Sequence, residues 1–195
     1  MGIPKLMKIL QINKFYFDKG GSERHLFALT DLLEKKGHKV IPFSMKDERN
    51  KESEYEKYFI ENIDMHKFSI KNILKYFYNT EATKKLQALI DKEKPDVAHL
   101  HNIAHQLSPA IIKTLKKNNI RIVQTLHDYK IICPNSKLFN KQGTCQKCLG
   151  GAYYNCFLNN CMHSSRGKSF LGMLEAYLHR SILKSYNQID VFIAP

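Results

Sequence analysis

A pair of adjacent glycines, histidines closing two apolar runs, and five cysteines within thirty residues or so are the parts of this sequence that could do chemistry. Gly20 and Gly21 follow the run LMKILQIN and lead into SERHLFALTDLLEKKGHKV, whose leucines fall at helical spacing. Glycine lets a backbone turn sharply and come close to a ligand. A helix N-terminus just behind offers unpaired N–H groups and a partial positive charge, so together they suit a phosphate or another anion. The plainer alternative is a strand-to-helix turn with no ligand. Adjacent glycines also depart from the G-x-G-x-x-G dinucleotide spacing, which argues against NAD.

His127 and Asp128 close the run IRIVQTLHD. An imidazole there could take or share a proton near neutral pH, or bind a sugar hydroxyl. The alternative is a histidine satisfied by the backbone at a strand end. The run PDVAHLHN carries His99 and His101. These two are expected on opposite faces of the sheet, with His101 and its neighbour Asn102 at the ligand crevice and His99 packed as a structural residue.

All five cysteines lie between Cys133 and Cys161. Cys145 and Cys148 form a C-x2-C pair, with Cys133 eleven intervening residues upstream and Cys161 twelve downstream. In a reducing compartment such clustering favours a metal over disulfides. Four thiolates can surround zinc tetrahedrally and lend a fold to a loop too polar to build its own core. Cys156 is then the spare, and His163 a substitute fourth ligand. Free thiols packed under the loop, or an iron–sulfur cluster, are the alternatives.

The elements that must position these groups alternate. LMKILQIN, HKVIPFSM, PDVAHLHN, IRIVQTLHD and IDVFIAP read as strands. Between them, SERHLFALTDLLEKK reads as a helix with Leu26, Leu29, Leu32 and Leu33 on one side and Gly37 placed to end it; SPAIIKTLKKNN as a helix with Pro109 in its first turn; and FLGMLEAYLHRSILKSY as one long amphipathic helix. Residues 47–62 read as a charged surface segment. This alternation argues for an α/β, Rossmann-like, mostly parallel sheet with helices on both faces and ligands at the carboxyl ends of the strands. One domain over residues 1–195 is expected, with a cysteine-rich loop insertion at about 133–165.

Net charge is +13, yet only five of the 31 basic residues are arginine. Nucleic-acid readers favour arginine forks and clustered patches, so scattered lysines speak against a nucleic-acid partner. An anionic membrane surface needs only point charges beside apolar groups. The segment MHKFSIKNILKYFYNTEATKKLQ, with Phe68, Ile73, Leu74, Phe77 and Tyr78, could lie on such a surface or pack its apolar side onto the sheet. No apolar run of about eighteen residues is present, and the start of the chain lacks the pattern of a signal peptide. The expected location is the cytoplasm, with peripheral contact at the inner face of the cell membrane as a candidate.

The ordered pieces GGSERH, GHKV, KPDVAHLHN, TLHDY, CPN and FIAP resemble, from about Lys8 to Pro195, the N-terminal domain of glycosyltransferase family 4, retaining enzymes of the GT-B fold. The resemblance implies an acceptor-binding domain for a glycan or lipid-linked acceptor, facing a donor domain that holds a nucleotide sugar. It implies that Gly20 and Gly21 touch the donor diphosphate, that His127 sits at the reacting sugar, and that His101, Asn102 and Asp128 line the acceptor side. The cysteine pattern after HDY is similar to a subset of the family, which selects Cys133, Cys145, Cys148 and Cys161 as the zinc ligands. The donor domain's E-x7-E pair has no counterpart here in a strand-to-helix context. The donor half is therefore expected in cis beyond this sequence or in trans on a separate subunit, and the chain alone is not expected to turn over. A non-catalytic, zinc-stabilised partner or regulatory module of a glycosyltransferase is one rival reading, and a basic nucleic-acid-binding domain the other.

Overall fold

The computed structural model describes residues 6–63 and 70–194. The first five residues, Phe68 with the rest of 64–69, and Pro195 lie outside the described residues. The chain divides into two compact units, one formed by residues up to Thr125 together with the stretch from Gln188 on, the other by Leu126–Asn187.

The first unit is built on a five-stranded parallel sheet. Its strands are β1 (Lys8–Ile12), β2 (Lys39–Phe43), β3 (Val97–Leu100), β4 (Arg121–Thr125) and, late in the chain, Val191–Ile193, in the order β2-β1-β3-β4 and then that last strand. Short runs rich in Ile, Val and Leu suit strands covered on both faces, and Leu10, Ile12, Ile41, Phe43, Leu100 and Ile122 are fully buried. Pro42, which lacks a ladder donor, sits in β2 at the sheet edge, where one side needs no partner.

Helix α1 (Gly21–Lys35) links β1 to β2. It ends as its composition demands: Gly37 takes φ +85°, and its N–H and that of His38 bond back to the carbonyls of Glu34 and Leu33. Of the four leucines expected on its inner side, Leu26 is buried while Leu32 is half exposed. Helices α2 (Ile70–Phe77) and α3 (Thr80–Glu93) follow; Asn79 caps α3 by accepting from the N–H of Ala82 at 3.1 Å. Helix α4 (Ala110–Lys117) begins directly after Pro109 and leads into β4. Because β1→β2 and β2→β3 run in opposite directions across the sheet, right-handed crossovers place their helices on opposite faces.

One sequence expectation is corrected here. The stretch 47–62 is no mere charged surface: Tyr55, Phe59 and Ile60 are buried, and Met45 bridges to Ile60. Its charges surround a few apolar residues that dock against the unit. In α2, Tyr76 is buried while Leu74 stays 64% exposed, so the helix both packs and shows an apolar side chain to solvent.

The second unit contains a small hairpin, β5 (Phe139–Asn140) and β6 (Gly143–Thr144), then α5 (Tyr154–Leu158) and α6 (Arg166–Ala176). Val191–Ile193, the late strand of the first unit's sheet, is β7. Ser165 caps α6 through the N–H of Lys168. The long helix expected over 170–186 is instead α6 followed by a π-helical stretch, Tyr177–Ile182, in which the N–H of Leu183 reaches the carbonyl of Leu178. This unit's core is Cys148, Tyr153, Cys156 and Ala176, packed by Cys161, Met162, Met173 and Tyr177. No helix among the described residues is long and apolar enough to cross a membrane.

Candidate functional site

In the strand order β2-β1-β3-β4, chain direction across the sheet reverses between β1 and β3. The crevice outside the carboxyl ends of those two strands is where open α/β sheets bind ligands. Gly20 and Gly21 follow β1, and His101 and Asn102 follow β3, with Ile12 and Leu100 in register as the last residues of their strands. The first unit thus brings four of the expected site residues to its topological switch point.

One residue that the sequence reading missed ties them together. Asn13, 2% exposed, donates from Nδ2 to the carbonyl of Phe15 at 2.8 Å and to Oε1 of Glu23 at 3.0 Å, and its Oδ1 accepts from the N–H of Asn102 at 3.0 Å. The N–H of Lys14 adds a bond to the carbonyl of Asn102. Loop, first turn of α1 and the end of β3 are therefore one hydrogen-bonded assembly. The available signal was that both neighbouring strands close on asparagine, in QIN and LHN.

Neither glycine is demanded by the chain's own geometry. Gly20 is extended (φ −171°, ψ −164°), a conformation open to any residue, and a Cβ there would meet only Oε2 of Glu23 at 3.7 Å. At Gly21, on the exposed first turn of α1, a Cβ would meet nothing within 4 Å. No side chain caps this helix. Glu23, buried in the same turn, faces inward to Asn13.

His99 and His101 lie on the same side of β3, with ring centroids 4.4 Å apart, which corrects the expectation that they face opposite ways. Residues two apart share a face of a strand, so the pair had to fall together. Both are buried: His99 Nε2 is hydrogen-bonded to Oγ1 of Thr125 at 2.8 Å, and His101 Nε2 to Oε1 of Gln11 at 3.0 Å. The ring of His25, on α1, stands 5.9 Å from that of His101.

His127 and Asp128 belong to the second unit, beginning two residues after β4 ends. His127 is half-buried and Asp128 exposed. Oδ1 of Asp128 accepts from the N–H of Lys130 at 2.8 Å, closing a tight turn. Lys130 is buried beneath that turn, where its Nζ donates to the carbonyl of Pro134 at 3.1 Å and pairs with Oε2 of Glu175 at 2.9 Å, at an angle too bent for a hydrogen bond. Around this ion pair, burial and then the charge of Glu175 push the Tyr186 hydroxyl well above its ordinary range.

The cysteines gather in the second unit. Burial, reinforced by the thiols of Cys133, Cys161 and Cys145, pushes Cys148 up to about 11; burial with Cys161, Cys148 and Cys133 pushes Cys156 up to about 12. Cys161 is raised by burial and then by Cys145 and Cys133. The sulfurs of Cys148, Cys156 and Cys161 thus each lie within electrostatic reach of at least two others. The four-thiolate cage expected from the spacing is nevertheless not formed: among the described residues no three His, Cys, Asp or Glu side chains are arranged to hold a metal ion. Cys133 Sγ turns instead to Oδ1 of Asn135 at 2.9 Å, while Cys148 and Cys156 pack in the unit's core.

A family model described as Glycosyltransferase Family 4 matches residues 19–195. An uncharacterized 42.6 kDa protein in the cps region of Klebsiella pneumoniae is 29% identical over 150 residues, covering 68% of this chain. The chain spans 40% of that relative's length. Among solved structures, an α-glucosyltransferase in complex with UDP and a 13-mer DNA containing a central A:G mismatch matches 96% of this chain and 37% of its own, at 15% identity and a TM-score of 0.43. An α-glucosyltransferase in complex with UDP and a 13-mer DNA containing a HMU base gives 14% identity over 97% of this chain and 38% of its own, with a TM-score of 0.45.

Proposed function

Because this chain belongs to glycosyltransferase family 4, we propose that it is the acceptor-binding half of a retaining glycosyltransferase, whose complete form moves a sugar from a nucleotide sugar to a glycan or lipid-linked acceptor. The observation that carries this reading is the meeting of the Gly20–Gly21 loop, the open first turn of α1 and the His101–Asn102 segment at one switch point, held by Asn13. The donor diphosphate departs toward the N–H groups of that first turn, which stabilise its developing charge. The acceptor hydroxyl attacks on the same face, so configuration is retained. His127 orients the reacting sugar or shares the hydroxyl's proton, and Asp128, His101 and Asn102 line the acceptor side. The donor-binding half, in cis or in trans, supplies the other wall of the cleft and excludes water.

The glycines give a test that separates binding from folding. Gly21→Ala places a methyl in open space on a helical turn, so the isolated chain keeps its stability or gains up to about 1 kcal/mol. In the complete enzyme the same methyl stands between the N–H groups and the phosphate, and kcat/KM falls about tenfold or more. An unchanged kcat/KM would remove the phosphate from this loop.

The thiols of the second unit match structural zinc by donor type alone, since soft thiolates favour it, and as they stand the sulfurs do not converge on one point. Cys133, Cys145, Cys148 and Cys161 would hold the ion, with Cys133 exchanging its bond to Asn135. Bound there, the metal would shape the loop and would take no part in transfer. Elemental analysis of protein purified without added zinc is expected to find about one equivalent, with loss of the second unit's folded signals on chelation. Substantially less than one equivalent in folded protein would discard the site.

A further inference from the structure

The second unit carries a cleft of about 320 Å3 that borders its thiol core through Cys161 and Met162 and is lined by none of the residues assigned above to sugar transfer. Its size is at the small end of the roughly 300–1,000 Å3 typical of ligand pockets. Three kinds of group meet in it. The amides of Asn140, Asn159 and Asn160 line one part. Asn140 commits its Oδ1 to the N–H of Gln142, and Asn159 its Nδ2 to the carbonyl of Asn155, so each has the opposite end of its amide to offer. Asn160 differs: its Oδ1 is buried and accepts no hydrogen bond. A buried acceptor left unmet is costly.

Phe139, on the β5–β6 hairpin, contributes a ring that is 58% exposed, far more than a packed phenylalanine shows. Lys137 and Lys141 bring positive charge to the same cleft, and no carboxylate lines it. Asn160, His163 and Ser164 also line it and all hold left-handed backbone, with φ of 47°, 52° and 54°. Strain of that kind concentrates at ligand sites.

Planar amides match paired hydroxyls, an exposed ring matches the C–H face of a pyranose, and unopposed lysines match an anionic substituent. We propose that this cleft binds an acidic saccharide, a sugar bearing a carboxylate, and so selects the acceptor of the transfer. The proposal rests on the acceptor-binding reading and adds to it a location and a chemical class.

The test is a titration of the full chain, followed by NMR, with trigalacturonate as the acidic probe and maltotriose as the neutral one. Trigalacturonate is expected to bind about tenfold more tightly than maltotriose, and Phe139→Ala to weaken it about fivefold. A Lys137→Ala/Lys141→Ala double variant should bring the two probes to similar affinity. Both variants change exposed side chains and leave the hairpin backbone in place. Inorganic phosphate at equal concentration should not displace the trisaccharide. No saturable binding, equal binding of both saccharides, indifference to Phe139→Ala, or displacement by phosphate would overturn the proposal. So would tighter binding by a short oligothymidylate, which would make the cleft a nucleic-acid site. These readouts involve no turnover: failure here leaves sugar transfer standing, and failure of sugar transfer in the complete enzyme leaves a measured saccharide affinity standing.

Discussion

Replacing His127 with alanine in the complete enzyme is expected to lower kcat by about 10²–10⁴-fold, the range for a positioned group that moves a proton or fixes a reacting centre. His127 is half-buried and follows the end of β4 by two residues, outside the apolar cores of both units. A loss confined to KM would recast His127 as a binding group, because an interaction equal in ground and transition states leaves kcat alone. Retention of kcat within about threefold would remove His127 from the chemistry altogether.

The second large effect concerns stability. Glu175→Ala is expected to cost about 3–5 kcal/mol in urea unfolding, because it strands the Lys130 ammonium in a site where the carbonyl of Pro134 is its hydrogen-bonding partner. Side chains of both members are almost fully buried, at 8% and 1% exposure, so solvent screening does little to soften the loss. Lys130→Met with Glu175→Leu should recover most of the cost, since an apolar pair of similar volume avoids desolvating two charges. A single variant costing less than about 1 kcal/mol would mean that water reaches the pair. The effect bears on function because Lys130 closes the turn on Asp128 and lies three residues beyond His127. Loosening it is expected to reduce activity even at temperatures where the chain remains folded.

The strands were legible because each is a short apolar run bounded by polar or turn residues, and parallel strands covered on both faces leave that imprint. Their order was less so. That β3 lies beside β1, creating the switch point between them, depends on long-range pairing that no local pattern records. Asn13 went unnoticed for the same reason: its partners Glu23 and Asn102 are distant in sequence, and an asparagine at a strand end reads as an ordinary turn residue. The histidine pair was readable from strand periodicity alone, and the expectation of opposite faces misapplied it. Around residues 47–62, charged neighbours hid Tyr55, Phe59 and Ile60, which a search for periodicity cannot recover from so few apolar positions.

In the second unit the cysteine spacing announced a cluster, and the thiols do gather. Their arrangement was not readable, because side-chain torsions decide whether sulfurs face a common centre or, as with Cys133, a neighbouring amide. The change from α6 to a π-helical stretch after Ala176 was equally hidden, since the apolar pattern continues through it. The cleft around Phe139 and Asn160 left no motif, as its groups come from two segments some twenty residues apart.

Anomeric configuration is the most direct test of the central claim. The complete enzyme would be given a panel of α-linked nucleotide sugars with a lipid-linked acidic oligosaccharide, and the new glycosidic bond read by proton NMR. Transfer with an α-linkage in the product is the predicted result. A β-linkage, or release of nucleotide without any new glycosidic bond, would contradict the account.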